Sequence, residues 1–456
     1  MNIRGTFILI LIVLSVVTPN LLSAQGSWSK VSVPTEYFLR SVYFTDSLYG
    51  WAAGDSGTML HTINGGSDWS VQNGQTKNDI MSVFFLNRNL GWASAFNYTL
   101  APYGTELLKT TNGGDTWTLT GYPVENIFMT CITYFDSLTG WMGGRPHALV
   151  KTTDGGATWH QAAIDTSTLA FFPVLSITFY NEKYGWASGG MFDIAGVIWR
   201  TSDGGNKWYA IPSQYAPADE VHALYAFDSL HVMGAGGDPD FGYGVGIIRT
   251  SDGGSNWQYQ ELGMPGFAVD LDFRNGCEGW APLGNRKKFI YSLDAGTTWK
   301  DIYTPDSTAI FDVIFPDSLH GFAVGAKGAF LKYSPPQVPF VNPVNGNYCG
   351  YSLDQNFPNP FNTSTTISFS IPPGIQARTG NAFSTNPVKI RVCDLLGHTI
   401  AIFDVSDFPP GENRITFSGA GMRDGVYIGR LEGGNDGSIL LTKPVRMLIL
   451  GSVHGL

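Results

Sequence analysis

The stretch Thr152-Thr153-Asp154-Gly155-Gly156-Ala157-Thr158-Trp159 decides the fold, because its pattern recurs along the chain. Each copy reads Ser/Thr-x-Asp/Asn-Gly/Ala-Gly-x-x-Trp, and successive final tryptophans are 48, 42, 49, 49 and 42 residues apart. The polar and aromatic positions of the six copies are Asn64 and Trp69, Asn112 and Trp117, Asp154 and Trp159, Asp203 and Trp208, Asp252 and Trp257, and Asp294 and Trp299. Periods of about 40 to 50 residues with four short strands each are typical of β-propeller blades.

Each copy predicts a tight turn that is followed by a buried ring. The Asp or Asn side chain accepts hydrogen bonds from the backbone of its own turn, and the next glycine adopts a positive φ. The tryptophan then buries a large flat area between adjacent blades. We therefore interpret these twelve residues as structural and not as ligand-binding.

A second pattern lies upstream of the boxes and predicts the number of blades. It consists of Gly-Trp pairs at residues 50–51, 91–92, 140–141, 185–186 and 279–280, with Gly321-Phe322 and a degenerate copy at 231–234. The strands before them predict inner strands near residues 39–44, 80–86, 129–135, 174–180, 221–227, 267–273 and 308–315. The seventh blade has no box tryptophan of its own, and residues 27–31 resemble 69–71. We therefore predict a seven-bladed ring over residues 25–334 that its N-terminal strand closes.

The composition excludes some classes of protein. The 456 residues are 43% hydrophobic, which is too apolar for a disordered chain. A formal net charge of −10 argues against a nucleic-acid-binding protein, whose affinity depends on neutralising phosphates. Residues 1–24 are typical of a secretory signal peptide, with Arg4, an apolar run at 7–17 and Ala24 at the cleavage position. That run is shorter than the about 20 apolar residues of a membrane span, so we predict no transmembrane segment in the mature chain.

The boxes are similar to the Asp-box, or bacterial neuraminidase repeat, of sialidases, xyloglucanase-type hydrolases and sortilin. The longer unit, a strand followed by Gly-Trp-Ala-x-Gly and then the box, resembles the photosystem II stability and assembly factor propellers over about residues 25–335. This resemblance implies a fold and not an activity. Residues 38–41 are not the Arg-Ile-Pro motif of sialidases, so that activity is disfavoured.

Residues 351–456 contain neither tryptophan nor box and predict a separate domain after a linker at 335–350. Alternating strand patterns between Gly and Pro turns favour a small Ig-like antiparallel β-sandwich, with an apparent insertion at 374–387. The run at 355–362 and a Gly-Val-Tyr at 425–427 resemble the type A C-terminal sorting domain of the type IX secretion system of Bacteroidetes-like bacteria. The residues that carry this resemblance are Asn356, Pro358, Asn359, Pro360, Phe361, Gly397, Gly425 and Tyr427. The resemblance implies that the type IX secretion machinery is a partner, that the chain passes through the periplasm to the outer cell surface, and that it is released or attached to lipopolysaccharide.

Ligands of such propellers usually bind the disc face opposite the Asp-box turns. We predict ligand-binding residues on the longest loops of that face, which are Tyr98, Tyr103, Arg145, Asp193, Asp238, Asp240, Tyr243 and Arg286. The loops between blades add Asp219 and Glu220. Aromatic side chains mixed with acids suit a glycan or a protein as the ligand. We therefore favour a non-catalytic surface binding module with a glycan or protein ligand.

Two other function classes stay open. A glycoside hydrolase needs two carboxylates about 5 to 10 Å apart, for which Asp193, Asp219, Glu220, Asp238 and Asp240 are the candidates. The second class is an assembly factor, as in photosynthetic relatives, and this function conflicts with the predicted export to the cell surface. No motif implies a cofactor, and a lone Asp-x-Asp at 238–240 lacks the about six to eight oxygens of a calcium site, so we predict no metal. The scattered cysteines 131, 277, 349 and 393 form no Cys-x-x-Cys pair.

Overall fold

The computed structural model describes residues 26–165, 171–238, 244–274, 276–335, 351–371, 377–379, 382–384, 388–406, 408–409, 411–433, 439–440 and 444–450. Almost all regular structure in these ranges is β-strand, and the exceptions are four single-turn 3-10 helices, at Asp55–Gly57, Ser213–Tyr215, Pro305–Ser307 and Ala326–Gly328. No helix in these ranges has the length and apolar character that a membrane crossing requires. The predicted signal peptide, Asp240, Tyr243, Cys349 and the linker beyond Pro335 lie outside the described residues.

The first half of the propeller region forms three sheets after an initial strand, β1 (Ser27–Val31). Sheet 1 contains β2 (Leu39–Phe44), β3 (Gly50–Gly54), β4 (Met59–Thr62) and β5 (Ser70–Val71). Sheet 2 contains β6 (Asp79–Phe85), β7 (Gly91–Asn97), β8 (Gly104–Thr110) and β9 (Thr118–Gly121). Sheet 3 contains β10 (Phe128–Tyr134), β11 (Gly140–Arg145), β12 (Ala148–Thr152) and β13 (His160–Gln161).

The second half repeats this plan. Sheet 4 contains β14 (Ala163–Ile164), β15 (Val174–Phe179), β16 (Gly185–Met191), β17 (Ala195–Thr201) and β18 (Lys207–Ala210), with β14 parallel to β18. Sheet 5 contains β19 (Val221–Ala226), β20 (Val232–Gly237), β21 (Val245–Thr250) and β22 (Gln258–Glu261). Sheet 6 contains β23 (Asp272–Phe273), β24 (Gly279–Pro282), β25 (Lys288–Ser292) and β26 (Lys300–Tyr303). Sheet 7 contains β27 (Ile310–Ile314), β28 (Phe322–Gly325), β29 (Ala329–Ser334) and β1.

Consecutive sheets pack on one another, and sheet 7 also packs on sheet 1. One inner strand of each sheet lines a central channel, and these strands are β2, β6, β10, β15, β19, β23 and β27. In sheet 7, β1 pairs antiparallel with β29, which places Trp28 opposite Tyr333, and Trp28 stacks on Phe289 at a centroid distance of 5.1 Å. The predicted all-β propeller of repeated four-stranded sheets is confirmed.

The box turns are held by their own side chains. In the third box Thr152 Oγ1 donates to Asp154 Oδ1 at 2.7 Å, and the same oxygen accepts the backbone N–H of Thr158 at 2.9 Å. Gly155 and Gly156 have φ values of 74° and 92°, which only glycine adopts without strain. Four box tryptophans are buried and two, Trp69 and Trp159, are half-buried.

Cationic side chains join one box to the preceding sheet. Lys109 Nζ donates to the carbonyl of Gly155 at 2.8 Å, and Lys151 Nζ donates to that of Gly204 at 3.0 Å. Arg200 makes the corresponding bond to Gly253 at 3.3 Å. The basic residues before these boxes therefore tie neighbouring sheets together.

The C-terminal region contains two sheets and a short hairpin. The first sheet contains β30 (Ser352–Leu353), β31 (Ser364–Ile371) and, later in the chain, β36 (Gly411–Ser418). The hairpin is β32 (Ala377–Thr379) with β33 (Ala382–Ser384). The second sheet contains β34 (Val388–Cys393), β35 (Thr399–Asp404), β37 (Gly425–Gly433), β38 (Ile439–Leu440) and β39 (Val445–Ile449). Side chains from both sheets, such as Phe369 and Leu431, share one core. The Ig-like assignment stays a prediction.

Residues that carry the resemblance to a sorting domain connect this core to its last strand. Asn356 is 1% exposed and donates to Thr365 Oγ1 at 2.9 Å. Asn359 Oδ1 accepts the backbone N–H of Leu448 at 2.7 Å, and the backbone N–H of Phe361 donates to the Leu448 carbonyl at 3.0 Å. Pro358 and Pro360 lie within the same loop. The run at 355–362 is thus a packed connection.

The other motif residues lie at turns and at the start of β37. Gly397 has a φ of 89° in the β34–β35 turn, and Gly425 begins β37 with a φ of 157°. Tyr427 is 9% exposed, and its hydroxyl donates to the carbonyl of Arg423 at 3.0 Å.

Candidate binding site at the channel mouth

The propeller has two different ends. The backbone N–H of Gly65 in the first box donates to the carbonyl of Leu48 in the β2–β3 turn at 2.8 Å, and Gly155 makes the same contact with Leu138. Connections between antiparallel strands alternate between the two ends of a sheet. The boxes therefore gather at one end, the box end, and the starts of the inner strands gather at the other, the loop end.

The described candidate residues all lie in loop-end connections. Tyr98 and Tyr103 lie between β7 and β8, Arg145 ends β11, Asp193 lies between β16 and β17, Asp219 and Glu220 precede β19, Asp238 follows β20, and Arg286 lies between β24 and β25. They come from sheets 2 to 6, so the loop end is the place where the chain brings them together.

Three of these residues form a carboxylate cluster. Oxygens of Asp193, Asp219 and Asp238 all lie within 4.8 Å of one another. The backbone N–H of Asp193 donates to Asp219 Oδ1 at 3.0 Å. Burial raises the pKa of Asp219, and the charges of Asp238, Asp193 and Glu220 raise it further. Of the three, Asp193 alone is exposed, and one oxygen from each would supply three of the about six to eight ligands that calcium takes.

An ion pair crosses the mouth beside this cluster. Arg145 Nη2 lies 3.1 Å from Glu220 Oε1, and His222 Nε2 lies 3.1 Å from Glu220 Oε2. Glu220 is 1% exposed, whereas the Arg145 side chain is 43% exposed. Burial by itself would raise the pKa of Glu220, but His222 and Arg145 outweigh it and lower the pKa below its ordinary value. Glu220 therefore holds the Arg145 guanidinium in place, and the exposed part of that guanidinium can contact a ligand.

Aromatic rings flank the ion pair. The rings of Phe192, His222 and Phe267 lie with centroid distances of 4.9 to 5.7 Å, and all three residues are half-buried. Phe267 lies before β23, in a stretch that the sequence predicted as part of an inner strand. Rings in this arrangement offer flat apolar faces next to charged groups.

A ring of bulged residues lines the channel below the mouth. Six inner strands shift register within their first residues, and the residues at the shifts are Arg40, Met81, Thr130, Leu175, His222 and Phe311. A β-bulge redirects a side chain, and all six line the same cavity of about 360 Å³. A single sequence carries no clear signal for a bulge, and this ring was not predicted.

A second ion pair, between Arg40 and Asp55, lies on the opposite side of the mouth. Arg40 Nε lies 2.5 Å from Asp55 Oδ1, and its guanidinium lies 4.8 Å from the ring centre of Phe38. Tyr98 is 59% exposed and stacks on Phe128 at 4.6 Å. Burial raises the pKa of Tyr98 above its ordinary value, and the nearby charge of Arg40 offsets only part of this rise. Tyr98 therefore lies beside Arg40 at the mouth, and Tyr103 and Arg286 are exposed in their loops.

A carboxyl pair lies deeper in the channel. The side chains of Asp270 and Asp312 are hydrogen-bonded to each other, and each accepts a backbone N–H, from Val313 at 2.9 Å and Val42 at 2.7 Å respectively. Burial raises the pKa of both residues, and Asp270 raises that of Asp312 further. Burial and close approach therefore favour a protonated form of this carboxyl pair, which links sheets 6, 7 and 1.

Comparison with known proteins identifies related chains. A sequence model of the family described as photosynthesis system II assembly factor YCF48 matches residues 21–121, 75–226 and 113–260. The photosystem II assembly lipoprotein Ycf48 of Nostoc sp. (strain PCC 7120) is 25% identical over 320 residues, which cover 69% of this chain and 88% of the relative. The photosystem II assembly protein Ycf48 of Synechococcus sp. (strain JA-2-3B'a(2-13)) is 25% identical over 337 residues, with coverages of 67% and 88%.

Solved structures share the fold. YCF48 bound to D1 peptide superposes with a TM-score of 0.54 at 20% identity, over 67% of this chain and 96% of that one. YCF48 from Cyanidioschyzon merolae has a TM-score of 0.54 at 19% identity, with coverages of 68% and 100%. The GH74 xyloglucanase from Xanthomonas campestris has a TM-score of 0.53 at 13% identity, with coverages of 76% and 60%.

Proposed function

The chain belongs to the photosynthesis system II assembly factor YCF48 family, and from this premise we propose that its propeller is a non-catalytic module that binds a polypeptide at the loop end. The observation that carries the proposal is the Arg145–Glu220 pair with the rings of Phe192 and Phe267 beside it. These groups come from sheets 3, 4 and 5 and from the connection into sheet 6. The structure of YCF48 with a D1 peptide supports a polypeptide as the class of ligand.

The chemistry of the mouth fits an extended segment with apolar side chains next to polar groups. The half-buried rings offer flat apolar surface, and the exposed face of Arg145 offers donors to a backbone carbonyl or a carboxylate. The net charge of −10 favours a neutral or cationic partner overall. Because a propeller holds its connections rigidly, little ordering cost opposes binding.

The carboxylates of the mouth argue against a glycoside hydrolase. Such an enzyme needs two carboxylates that flank a scissile bond. Asp219, Glu220 and Asp238 are only 3%, 1% and 6% exposed, and Glu220 is already paired with Arg145. Asp193 is the one described candidate carboxylate that reaches solvent. Binding is therefore favoured over catalysis.

We also propose an export route for the chain. Residues 1–24 direct the chain into the periplasm, and residues 351–456 direct it through the type IX secretion system to the outer cell surface. The sequence run at 355–362 supports this proposal, as do its hydrogen bonds to the last strand, because they make the tail a folded unit of its own.

Two binding arrays and a hydrolase assay together test the binding proposal. The mature full chain is applied to arrays of surface-protein fragments and of glycans, and its hydrolase activity is measured on polysaccharides. We expect capture by polypeptides and no hydrolysis. Capture by glycans alone, or turnover of a polysaccharide that Asp193→Asn abolishes, would overturn the proposal.

A further inference from the structure

One position of the repeat carries an aromatic ring in every propeller sheet except sheet 5. It lies at the start of the strand that follows each inner strand, and the rings are Trp51, Trp92, Trp141, Trp186, Trp280 and Phe322, all buried. In sheet 5 this position of β20 is Met233, within the degenerate copy at 231–234. The register confirms the equivalence, because Trp186 pairs with Arg200 in sheet 4 and Met233 pairs with Arg249 in sheet 5.

The aromatic surroundings of this position are retained in sheet 5. In sheet 3 the ring centre of Phe135 lies 5.2 Å from that of Trp141 and 4.7 Å from that of Phe179 in the next sheet. Phe227 follows β19 as Phe135 follows β10, and its ring centre lies 4.7 Å from that of Phe273 in the next sheet. The rings that hold a tryptophan in sheet 3 are therefore present in sheet 5, where the tryptophan is missing.

A cavity of about 240 Å³ lies at this place, between sheets 5 and 6. Its lining includes Phe227, Met233 and Arg249 on one side and Ala295 of the sixth box on the other. Ala295 is exposed, so the cavity opens to solvent at the box end. A cavity of about 150 Å³ is large enough for benzene, whereas drug-sized ligands take about 300 Å³ or more. The cavity therefore suits one small planar ring system.

Arg249 lines this cavity without the ring that its counterparts contact. Lys109 Nζ lies 5.6 Å from the ring centre of Trp92, and Lys151 Nζ lies 5.2 Å from that of Trp141. Cations at these distances are attracted by the face of the ring. Arg249 has the methionine opposite it and bonds to Gln260 on β22 of its own sheet. A ring in the cavity would lie next to this guanidinium.

The sixth box also has a carbonyl without a donor. In four boxes the carbonyl after the Asp or Asn accepts a bond from the preceding sheet. In two of them the donor is a ring N–H, since Trp51 Nε1 donates to Gly113 at 3.0 Å and Trp92 Nε1 donates to Gly155 at 3.3 Å. Ala295 is the equivalent residue of the sixth box, and no described residue donates to its carbonyl.

We propose that this cavity binds a small bicyclic aromatic molecule with a ring N–H, of the indole class. The ring packs against Phe227 and Met233 next to the Arg249 guanidinium, and its N–H donates to the Ala295 carbonyl. The chain does not supply this ring itself, because all thirteen of its tryptophans are buried or half-buried at other places in the propeller. The site lies at the box end and does not depend on the polypeptide proposed for the loop end.

The test titrates indole into the mature full chain and follows binding by calorimetry. A chain with ¹³C-labelled methionine methyl groups locates the site, and Met233→Leu assigns the Met233 signal. We expect indole to bind and to shift this methyl signal. Indene has nearly the same shape without the N–H, and it should bind about fivefold more weakly because one hydrogen bond is lost.

Two variants and a matched control test the geometry. Met233→Trp places a ring of the chain itself in the cavity, so it should weaken indole binding at least about tenfold while the melting temperature stays at or above that of the parent. Arg249→Ala should weaken binding several-fold. Arg200→Ala is the control, because Trp186 already fills the equivalent position in sheet 4, and it should leave indole binding unchanged.

Four results would overturn the proposal. They are the absence of indole binding, a Met233 methyl signal that indole does not shift, equal affinity for indole and indene, and unchanged affinity in the variants. If Met233→Trp does not fold, unchanged affinity in Arg249→Ala alone overturns the proposal.

Discussion

Arg145 and Glu220 lie 75 positions apart in the sequence and form an ion pair of 3.1 Å across the channel mouth. Glu220 is buried and Arg145 is partly exposed, so the pair presents a positioned guanidinium to the solvent. Sheet 4 lies between the two sheets that carry them, and its Phe192 packs on His222 next to the pair. The mouth is thus built by three consecutive sheets.

The carboxyl pair in the channel predicts a pH dependence of stability. The folded state raises the pKa of Asp270 and Asp312, so folding favours their protonated form. The free energy of unfolding should therefore fall as the pH rises from about 4 toward their raised pKa. Asp312→Asn, which keeps the hydrogen-bonding groups without the charge, should flatten this slope in urea titrations between about pH 4 and 8. An unchanged slope in this variant, equal to that of the exposed control Asp306→Asn, would contradict protonation of the pair.

The pairing of β1 with β29 predicts that the N-terminal strand stabilises a closed ring of seven sheets. Deleting residues 25–34 removes Trp28, which contacts the rings of Trp280, Phe289 and Tyr333, and exposes the edge of β29. Loss of a packed aromatic side chain costs about 3 kcal/mol or more of unfolding free energy. Thermal unfolding of the mature chain with and without this strand measures the effect. Identical melting curves for the chain with and without this strand would contradict closure of the ring by β1.

Asp154→Ala should lower stability without changing ligand binding. Asp154 accepts bonds from Thr152 Oγ1 and from both the backbone N–H and the hydroxyl of Thr158, and these bonds lower its pKa below the ordinary value. The stabilisation is present above the ordinary pKa of an aspartate and is lost as the pH falls through the lowered value. We expect a lower melting temperature at neutral pH, with unchanged affinity for the ligand. Lost affinity in a variant that melts normally would place the boxes in the binding site.

Truncation after Ser334 tests the export route. If residues 351–456 are the sorting domain, the truncated chain should accumulate in the periplasm of a bacterium that has the type IX system. Folding of the retained propeller, measured by its resistance to protease, is the control that separates failed export from degradation. Efficient arrival of the truncated chain at the cell surface would show that the tail is not the sorting signal.

The local repeats made the propeller predictable. The Thr-x-Asp-Gly-Gly pattern specifies its turn through bonds within eight residues, as the contacts of Asp154 illustrate. The inner strands were predicted within a few residues of those observed, except that β23 spans only Asp272–Phe273, whereas an inner strand at 267–273 was predicted.

The site was only partly predictable. The place of each loop within the repeat was enough to select Arg145, Asp193, Asp219, Glu220 and Asp238 as candidate site residues. Their mutual contacts depend on distances between sheets, which one sequence does not contain. Phe267 was placed within the predicted inner strand at 267–273. The bulged residues such as Arg40 were missed because a bulge depends on pairing with the next strand.

The most direct test of the central claim is the affinity of the mature chain for a captured polypeptide, measured in variants of the mouth. Tyr98→Ala, Phe192→Ala and Arg145→Ala each remove one contact surface of the loop end. Tyr209→Ala, an exposed tyrosine opposite Arg200 near the box end of sheet 4, is the matched control. We predict that at least one mouth variant weakens binding by about tenfold or more while its melting temperature stays close to that of the parent, and that the control binds normally. Unchanged affinity in all three mouth variants would contradict polypeptide binding at the loop end.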